Sequence, residues 1–405
     1  MASMLDRLRA AQPVSHQARP ALKQSELLIK ETKAPLPPGR SFLSAQTLAY
    51  LGLENGADIP LEAFLFLDTE TTGLRGGAGT LAFLIGVGWF EGDDFRVRQY
   101  LIRDYHQEAQ MLDKVFAQFE EARCLVTFNG ASFDLPLLES RATVNRLKER
   151  YQPPLHLDVI HAARRVYKLR LRQCALSRLE EQVFGQPRED DLPGADIPAR
   201  FFEYLKTRDE GLMTEVLRHN YLDILSLARL KLLMSHLHEN PMDARHHRDI
   251  FSLGKVYEKH GQVEKAASCF RACTDQDVKA RAWVRLGDMY KRYKSNLKAA
   301  DAYEAVLGES SMSFHVCTAL AKIYEHRLKD PGRALAIVRQ GMLYCAERRQ
   351  LSARAAAEYA ALEHRCLRLM RKVEHCKHGI YEQTENAPGA AEAPARTDKR
   401  SAGPL

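Results

Sequence analysis

Asp68-Thr69-Glu70-Thr71-Thr72-Gly73 closes the apolar run Phe64–Leu67, and its reading decides the fold. Successive side chains of an extended strand alternate between faces, so Asp68 and Glu70 point the same way. Two such carboxylates at the end of a buried strand repel one another and lose hydration, which calls for an offsetting charge. Oxygen-only ligands of this kind suit Mg²⁺ or Mn²⁺. The plain alternative is a strand-end turn with both acids in water.

Two further segments weigh on that choice. Asn129-Gly130-Ala131-Ser132-Phe133-Asp134 follows the apolar stretch Cys124–Phe128 and leads into a helical pattern from Leu135. Asn-Gly marks a sharp turn. Asp134 then falls in the first turn of a helix, where a carboxylate is favourable and a substrate can reach it. His219-Asn220-Tyr221-Leu222-Asp223 lies in the helical pattern Leu212–Leu233. His219 and Asp223 are four apart and share a helix face, while Tyr221 lies on another. Taken singly, an ordinary helix start and a surface His–Asp pair are the commoner explanations of the two segments.

Together the three segments resemble the DEDD exonuclease superfamily of the ribonuclease-H-like fold. Asp68-x-Glu70 looks like its first motif, Asn129-x-x-x-Phe133-Asp134 matches its second, and Asp223 falls where the third supplies the last acid. The histidine branch of that superfamily places its His five residues before the last Asp, whereas here His219 stands four before. The chain is closer in this respect to the YprB-like ribonuclease-H-like proteins. With them it also shares Leu157-Asp158-Val159-Ile160-His161, Leu192-Pro193-Gly194 with Ile197-Pro198, and Phe202–Leu205.

The resemblance implies an α/β ribonuclease-H-like mixed sheet with flanking helices. It also implies a metal-dependent 3′-to-5′ exonuclease that hydrolyses phosphodiester bonds with two Mg²⁺ or Mn²⁺ ions. Two-metal hydrolysis places its ions about 3.5–4 Å apart, one activating water and one stabilising the leaving oxygen. Asp68, Glu70, Asp134 and Asp223 are then the metal ligands, and His219 orients or deprotonates water. Asp158 is read as a strand-to-helix cap, since Asp favours helix starts. Thr71, Thr72, Asn129 and Phe133 are candidate contacts to nucleic acid, although turn formation alone also accounts for the threonines.

The whole chain of 405 residues carries a net charge of +7, with 45% hydrophobic and 27% charged residues. That is ordinary for a globular protein and compatible with nucleic acid. Arg164, Arg165, Lys168, Arg170 and Arg172 occur with no acid between Val159 and Leu179. Beside an exonuclease site this run is expected to touch phosphates, against the alternative of a solvated helix face. The 8 cysteines form no regular framework. Cysteines of that sort suit a reducing compartment, and no apolar run is long enough to span a bilayer, so a cytoplasmic protein is expected.

Residues 1–40 are basic and end in Pro35-Leu36-Pro37-Pro38-Gly39, the pattern of a flexible basic arm. Residues 41–238 form the expected exonuclease domain. Its predicted strands are Phe64–Asp68, Leu81–Phe90 with a hairpin around Gly86 and Gly88, Phe95–Leu101, Cys124–Phe128 and Leu155–Asp158. Helices are predicted from Gln107 to Glu121 and from Leu135 to Glu149. Residues 243–375 are all-helical, and Leu253-Gly254-x-x-Tyr257 recurs as Leu286-Gly287-x-x-Tyr290 and Leu320-Ala321-x-x-Tyr324. Ala266 and Phe270 follow the first copy at the offsets of Ala299 and Tyr303 after the second. These residues look like tetratricopeptide repeats, which implies a protein partner. Residues 381–405 read as a disordered tail. The competing functions are a catalytically weak or inactive nucleic-acid/protein adaptor and an endonuclease on structured RNA. Nothing in the motifs separates DNA from RNA.

Overall fold

The chain forms its first strand, β1 (Leu28–Ala34), inside the stretch whose composition suggests a mobile arm. The structure is a computed structural model. It describes residues 26–34, 36, 42–54, 56–73, 79–188, 190–307, 313–346, 348 and 350–385, with backbone alone from 376. Most of the expected arm therefore lies outside the described residues, but 28–34 are a paired edge strand. Edge strands tolerate charge, and here Glu31 meets Arg96 at 3.1 Å and Arg98 at 2.8 Å across the ladder. A basic composition concealed this strand.

A two-stranded ribbon, β2 (Phe42–Leu43) and β3 (Ile59–Pro60), brackets helix α1 (Ala45–Leu51). β4 (Phe64–Thr71), β5 (Ala82–Glu91) and β6 (Asp94–Leu101) follow. The hairpin between β5 and β6 turns at Gly92, φ 59°, and not around Gly86 and Gly88, which lie in mid-strand. Then come α2 (Glu108–Glu121), β7 (Cys124–Thr127), α3 (Asp134–Val144), β8 (Leu155–Asp158) and α4 (Val159–Leu171). α3 stops short of the predicted Glu149. Asn145 caps it, its side chain donating to Arg141 O at 2.9 Å, and Arg146 takes φ 58°. The short α5 (Leu176–Leu179) runs into a π-helical turn at Glu180–Phe184, and α6 (Ile197–Thr207) and the long α7 (Gly211–Glu239) complete this region.

Among the described residues six strands make one mixed sheet in the order β1-β6-β5-β4-β7-β8. β7 and β8 run parallel to β4, and the other pairs are antiparallel. Each face carries its own core, as alternation along β4 dictates. Phe64 and Phe66 join α1, α4 and most of α7, while Leu65 and Leu67 join α2, α3, α6 and the first turns of α7. Asp68 and Glu70 continue the parity of Phe64 and Phe66 and so face the side of α4 and α7.

Gly86 and Gly88 exist for that helix. A Cβ on Gly86 would lie 2.2 Å from Asn220 Oδ1, and one on Gly88 would lie 2.7 Å from Ile224 Cγ2. Two bare positions on β5 let α7 settle directly on the sheet, which brings its functional face to the end of β4.

The compact units are Met1–Ala272 and Cys273–Leu405, so the division falls some thirty residues after the punctuation at Asn240-Pro241. Helices α8 (His247–Lys259) and α9 (Val263–Ala272) belong with the sheet. Tyr257 Oη donates to His238 O at 2.6 Å, and Asp249 forms a buried pair with Arg170 at 2.9 Å. The second unit comprises α10 (Gln276–Arg292), α11 (Asn296–Glu304), α12 (Phe314–Lys322) with a π-helical turn to Arg327, α13 (Pro331–Ala346) and α14 (Ala353–Glu385). The repeated glycines do the same work in each unit: a Cβ on Gly254 would lie 2.7 Å from the Phe270 ring, and one on Gly287 2.7 Å from the Tyr303 ring. α14 extends into the start of the expected tail, and residues 386–405 lie outside the described residues.

Candidate active site

The three motifs converge at one edge of the sheet, where β4, β7 and β8 present their carboxyl ends. That edge is where open α/β sheets receive ligands. β4 delivers Asp68 and Glu70 on one face. Thr69, between them and on the other face, donates its hydroxyl to Asp134 Oδ1 at 2.6 Å, which ties the first turn of α3 to the strand. The chain reaches α3 through a turn in which Asn129 is left-handed, φ 69°, a conformation that a short amide side chain tolerates. Asp158 clamps this turn. Its carboxylate accepts the N–H of Asn129 at 2.7 Å and of Ala131 at 3.1 Å, and also caps α4 through Ile160 N at 3.3 Å.

α7 supplies the remaining groups. Asn220 is fully buried. It donates to Asp68 Oδ2 at 2.9 Å and accepts from Gln99 Nε2 at 3.0 Å, so the first acid is held by the helix that carries the last. His219 Nε2 lies 3.5 Å from Asp223 Oδ2 and 3.9 Å from Glu70 Oε1. Donor atoms of Glu70, His219 and Asp223 all fall within 4.8 Å of one another. The other ring nitrogen, Nδ1, sits 3.0 Å from both oxygens of Asp191. A carboxylate there favours the Nδ1–H tautomer and leaves the Nε2 lone pair toward the acids. Tyr221 packs half-buried against the α4-side core, away from this face.

The carboxylates are crowded. Burial, then repulsion by Asp223, Glu70 and Asp134, holds Asp68 well above the usual carboxylate range. Burial, followed by Asp223, Asp134 and Asp191, does the same to Glu70. Burial pushes Asp134 up to about 6 despite the Thr69 hydrogen bond. Asp223 is raised by burial as well, although Arg188 and His219 pull it back. A set of hard oxygen donors that resist ionising together, with one imidazole beside them, is chemically suited to a divalent cation.

Arg188 lies outside all three sequence motifs. Its Nε and Nη2 donate to the two oxygens of Glu180, both at 2.6 Å, and Nη1 donates to Asp191 at 2.8 Å. Nη2 also pairs with Asp223 Oδ1. Asp191 and Glu180 were missed with it. The acidic Asp190-Asp191 step beside Leu192-Pro193-Gly194 was the one available signal, and it carried no information about His219.

A cleft of about 700 Å³ leads from Asp68, Asn129 and Asp223 along α4, past Arg164, Lys168 and Arg172. Arg164 and Lys168 are four apart on one face of α4, and Arg172 follows as the residue that ends the helix, φ 60°. Arg165 and Arg170, expected in the same role, are placed elsewhere. Arg165 donates to Leu51 O at 2.7 Å and Tyr50 O at 3.2 Å at the end of α1, and Arg170 pairs with Asp249. The run is therefore not one patch, because helical periodicity turns those two off the cleft. The hydroxyls of Thr71 and Thr72 close the loop after β4, the first donating to Gly73 O at 2.8 Å and the second accepting from Leu81 N at 3.1 Å. Phe133 is 55% exposed beside Asp134.

Residues 65–235 match the family model described as RNase_H superfamily. The sheet domain is ribonuclease-H-like. The chain is also similar to the Bacillus subtilis (strain 168) protein named uncharacterized protein YprB. The two are 28% identical over 331 residues, 78% of this chain and 80% of that protein. Among solved structures, the family B DNA polymerase of the hyperthermophilic archaeon Pyrobaculum calidifontis aligns with a TM-score of 0.34 and 18% identity, over 51% of this chain and 30% of the polymerase. The chain thus matches less than a third of that polymerase's length. No helix of the described residues is long and apolar enough to cross a membrane.

Proposed function

We propose that this ribonuclease-H-like domain is a metal-dependent nuclease of the DEDD type, acting from the 3′ end of nucleic acid. The observation that carries the reading is the convergence of Asp68, Glu70, Asp134, Asp223 and His219 at the head of a basic cleft. Asp68, Glu70, Asp134 and Asp223 are the residues that would hold Mg²⁺ or Mn²⁺. Two such ions, when bound, supply the charge that activates water and stabilises the leaving oxygen. His219 Nε2 faces the same space and takes the proton of the attacking water, with Asp191 fixing the ring. Asn220 and Thr69 hold Asp68 and Asp134 in place. Exposed Phe133 offers a base a stacking surface. The helical pairs of the second unit are read as tetratricopeptide-like, with a protein as their partner.

A second reading, the catalytically weak adaptor, has one observation in its favour: Arg188 already pairs with Asp223. Incubating the protein with end-labelled single- and double-stranded DNA and RNA, in Mg²⁺, Mn²⁺ or EDTA, separates the two. The nuclease gives ladders from the 3′ end that EDTA stops. Nicks within duplexes indicate an endonuclease, and no product with any substrate leaves the adaptor.

The cleft makes its own prediction. Neutralising Arg164 and Lys168 together should weaken nucleic-acid binding and lower the log–log salt slope by about one to two units. Neutralising Arg165, which caps α1, should leave the slope unchanged and cost stability instead. Equal slopes for the two variants would remove the cleft from the binding surface.

A further inference from the structure

We propose that Arg188 is a resident counter-ion of the acidic site, whose guanidinium occupies Asp223 and sets how tightly a divalent cation binds there. The inference rests on the reading of Asp68, Glu70, Asp134 and Asp223 as cation ligands. Three features of the geometry support it.

First, Arg188 is fixed. Its two parallel bonds to Glu180 use the fork geometry that makes arginine–carboxylate pairs strong, and the Glu180 side chain is only 4% exposed. A buried carboxylate stripped of its partner is costly, so the guanidinium cannot swing out to make room.

Second, it reaches past what anchoring requires. Glu180 alone would satisfy a structural staple, yet Nη2 also takes an oxygen of Asp223, and Nη1 takes Asp191, which holds His219. One side chain therefore touches a cation ligand and the partner of the histidine at once. Arg178, close in sequence, pairs with Glu181 at 2.6 Å at the surface instead.

Third, the site's donors are unequal as a result. Asp68 is held by a neutral amide, Asn220, and Asp134 by a neutral hydroxyl, Thr69. Asp223 alone of these three is held by a full positive charge. A cation at the Asp223 side must share its carboxylate with a guanidinium and bear the repulsion, in a place sheltered enough for that repulsion to matter. Binding at the Asp68–Asp134 side carries no such cost. Arg188 thus holds the Asp223 carboxylate in place before any cation arrives, and makes that side the weaker of the two for a cation.

Mn²⁺ binding to the full chain, followed by the loss of the free-ion electron-paramagnetic signal, tests this without a turnover assay. Arg188→Gln should tighten the weaker Mn²⁺ step by about tenfold or more, the scale expected for removing one nearby like charge. Because that variant strands Glu180, the paired variant Glu180→Gln/Arg188→Gln removes both buried charges and should show the same gain. Arg188→Lys, which keeps the charge but not the fork, should gain less Mn²⁺ affinity than Arg188→Gln does. Unchanged or weaker Mn²⁺ binding in the folded paired variant overturns the proposal, as does a gain in Arg188→Lys equal to that in Arg188→Gln or the absence of Mn²⁺ binding in every protein. A native chain that cleaves nothing, but whose Arg188 variants gain Mn²⁺ affinity as described, refutes the nuclease and leaves the counter-ion standing.

Discussion

Mn²⁺ or Mg²⁺ should raise the melting temperature of the native chain, and Asp68→Ala or Asp223→Ala should abolish most of that rise together with any cleavage. A ligand that binds only the folded state stabilises it by about 2.7 kcal/mol at a hundredfold excess over its Kd, an easily measured shift. The two residues sit on different elements, β4 and α7, joined by the Asn220 bond to Asp68. Loss of the shift from either side therefore points to a shared ion rather than to local damage. The pH dependence has a definite sign. Asp134 titrates near 6 in the fold, against about 3.9 for an unperturbed aspartate. Between those values the folded state binds more protons than the unfolded one, so the contribution of Asp134 to metal-free stability falls as pH rises through the window and levels off above 6. A cation must displace the Asp134 proton at pH 5 but not at pH 7. The metal-induced rise should accordingly be larger at pH 7. Scanning calorimetry of native, Asp68→Ala and Asp223→Ala protein at both values checks this, and an undiminished shift in both variants would put the ions elsewhere.

What could be read in advance divides along a physical line. Asp68 and Glu70 stand at a strand end, Asp134 at a helix start and Asp223 in mid-helix four residues after His219, so each of these candidates lies in a pattern that the local sequence displays. The central strands were legible because a strand covered on both faces reads as a continuous apolar run, as β4, β5 and β7 do. β1 was not, since an edge strand with Glu31, Lys30 and Lys33 on it has the composition of a linker. The role of Gly86 and Gly88 was hidden for a different reason: nothing local distinguishes a glycine that turns from one that admits a helix. Arg188, Glu180 and Asp191 belong to a connection between helices, and their meeting with Asp223 is a matter of tertiary geometry alone. The repeat motif on α8 and α9 likewise records how those helices pair and not which compact unit holds them.

His219→Ala should lower the cleavage rate by roughly 10²–10⁴, the range for general-base assistance, with substrate affinity almost unchanged. The geometry makes the outcome informative in more than one direction. Nε2 stands 3.5 Å from Asp223 and 3.9 Å from Glu70, close enough to address a water between them or to ligate a cation. The metal-induced thermal shift separates the two roles. A base leaves the shift intact in His219→Ala, whereas a ligand takes a large part of it away. Asp191→Asn adds a second discriminant, because it removes the charge facing Nδ1 without touching Nε2. If Asp191 holds the ring through Nδ1–H, that substitution should reduce the rate by less than His219→Ala does and leave the metal shift alone. Tyr221→Phe should cost little, since Tyr221 packs into the core on another face of α7. His219→Tyr, which places a tyrosine four residues before the last acid, should retain part of the activity. Full activity in His219→Ala with collapse in Tyr221→Phe would reverse the assignment and require α7 to present a different face to the end of β4.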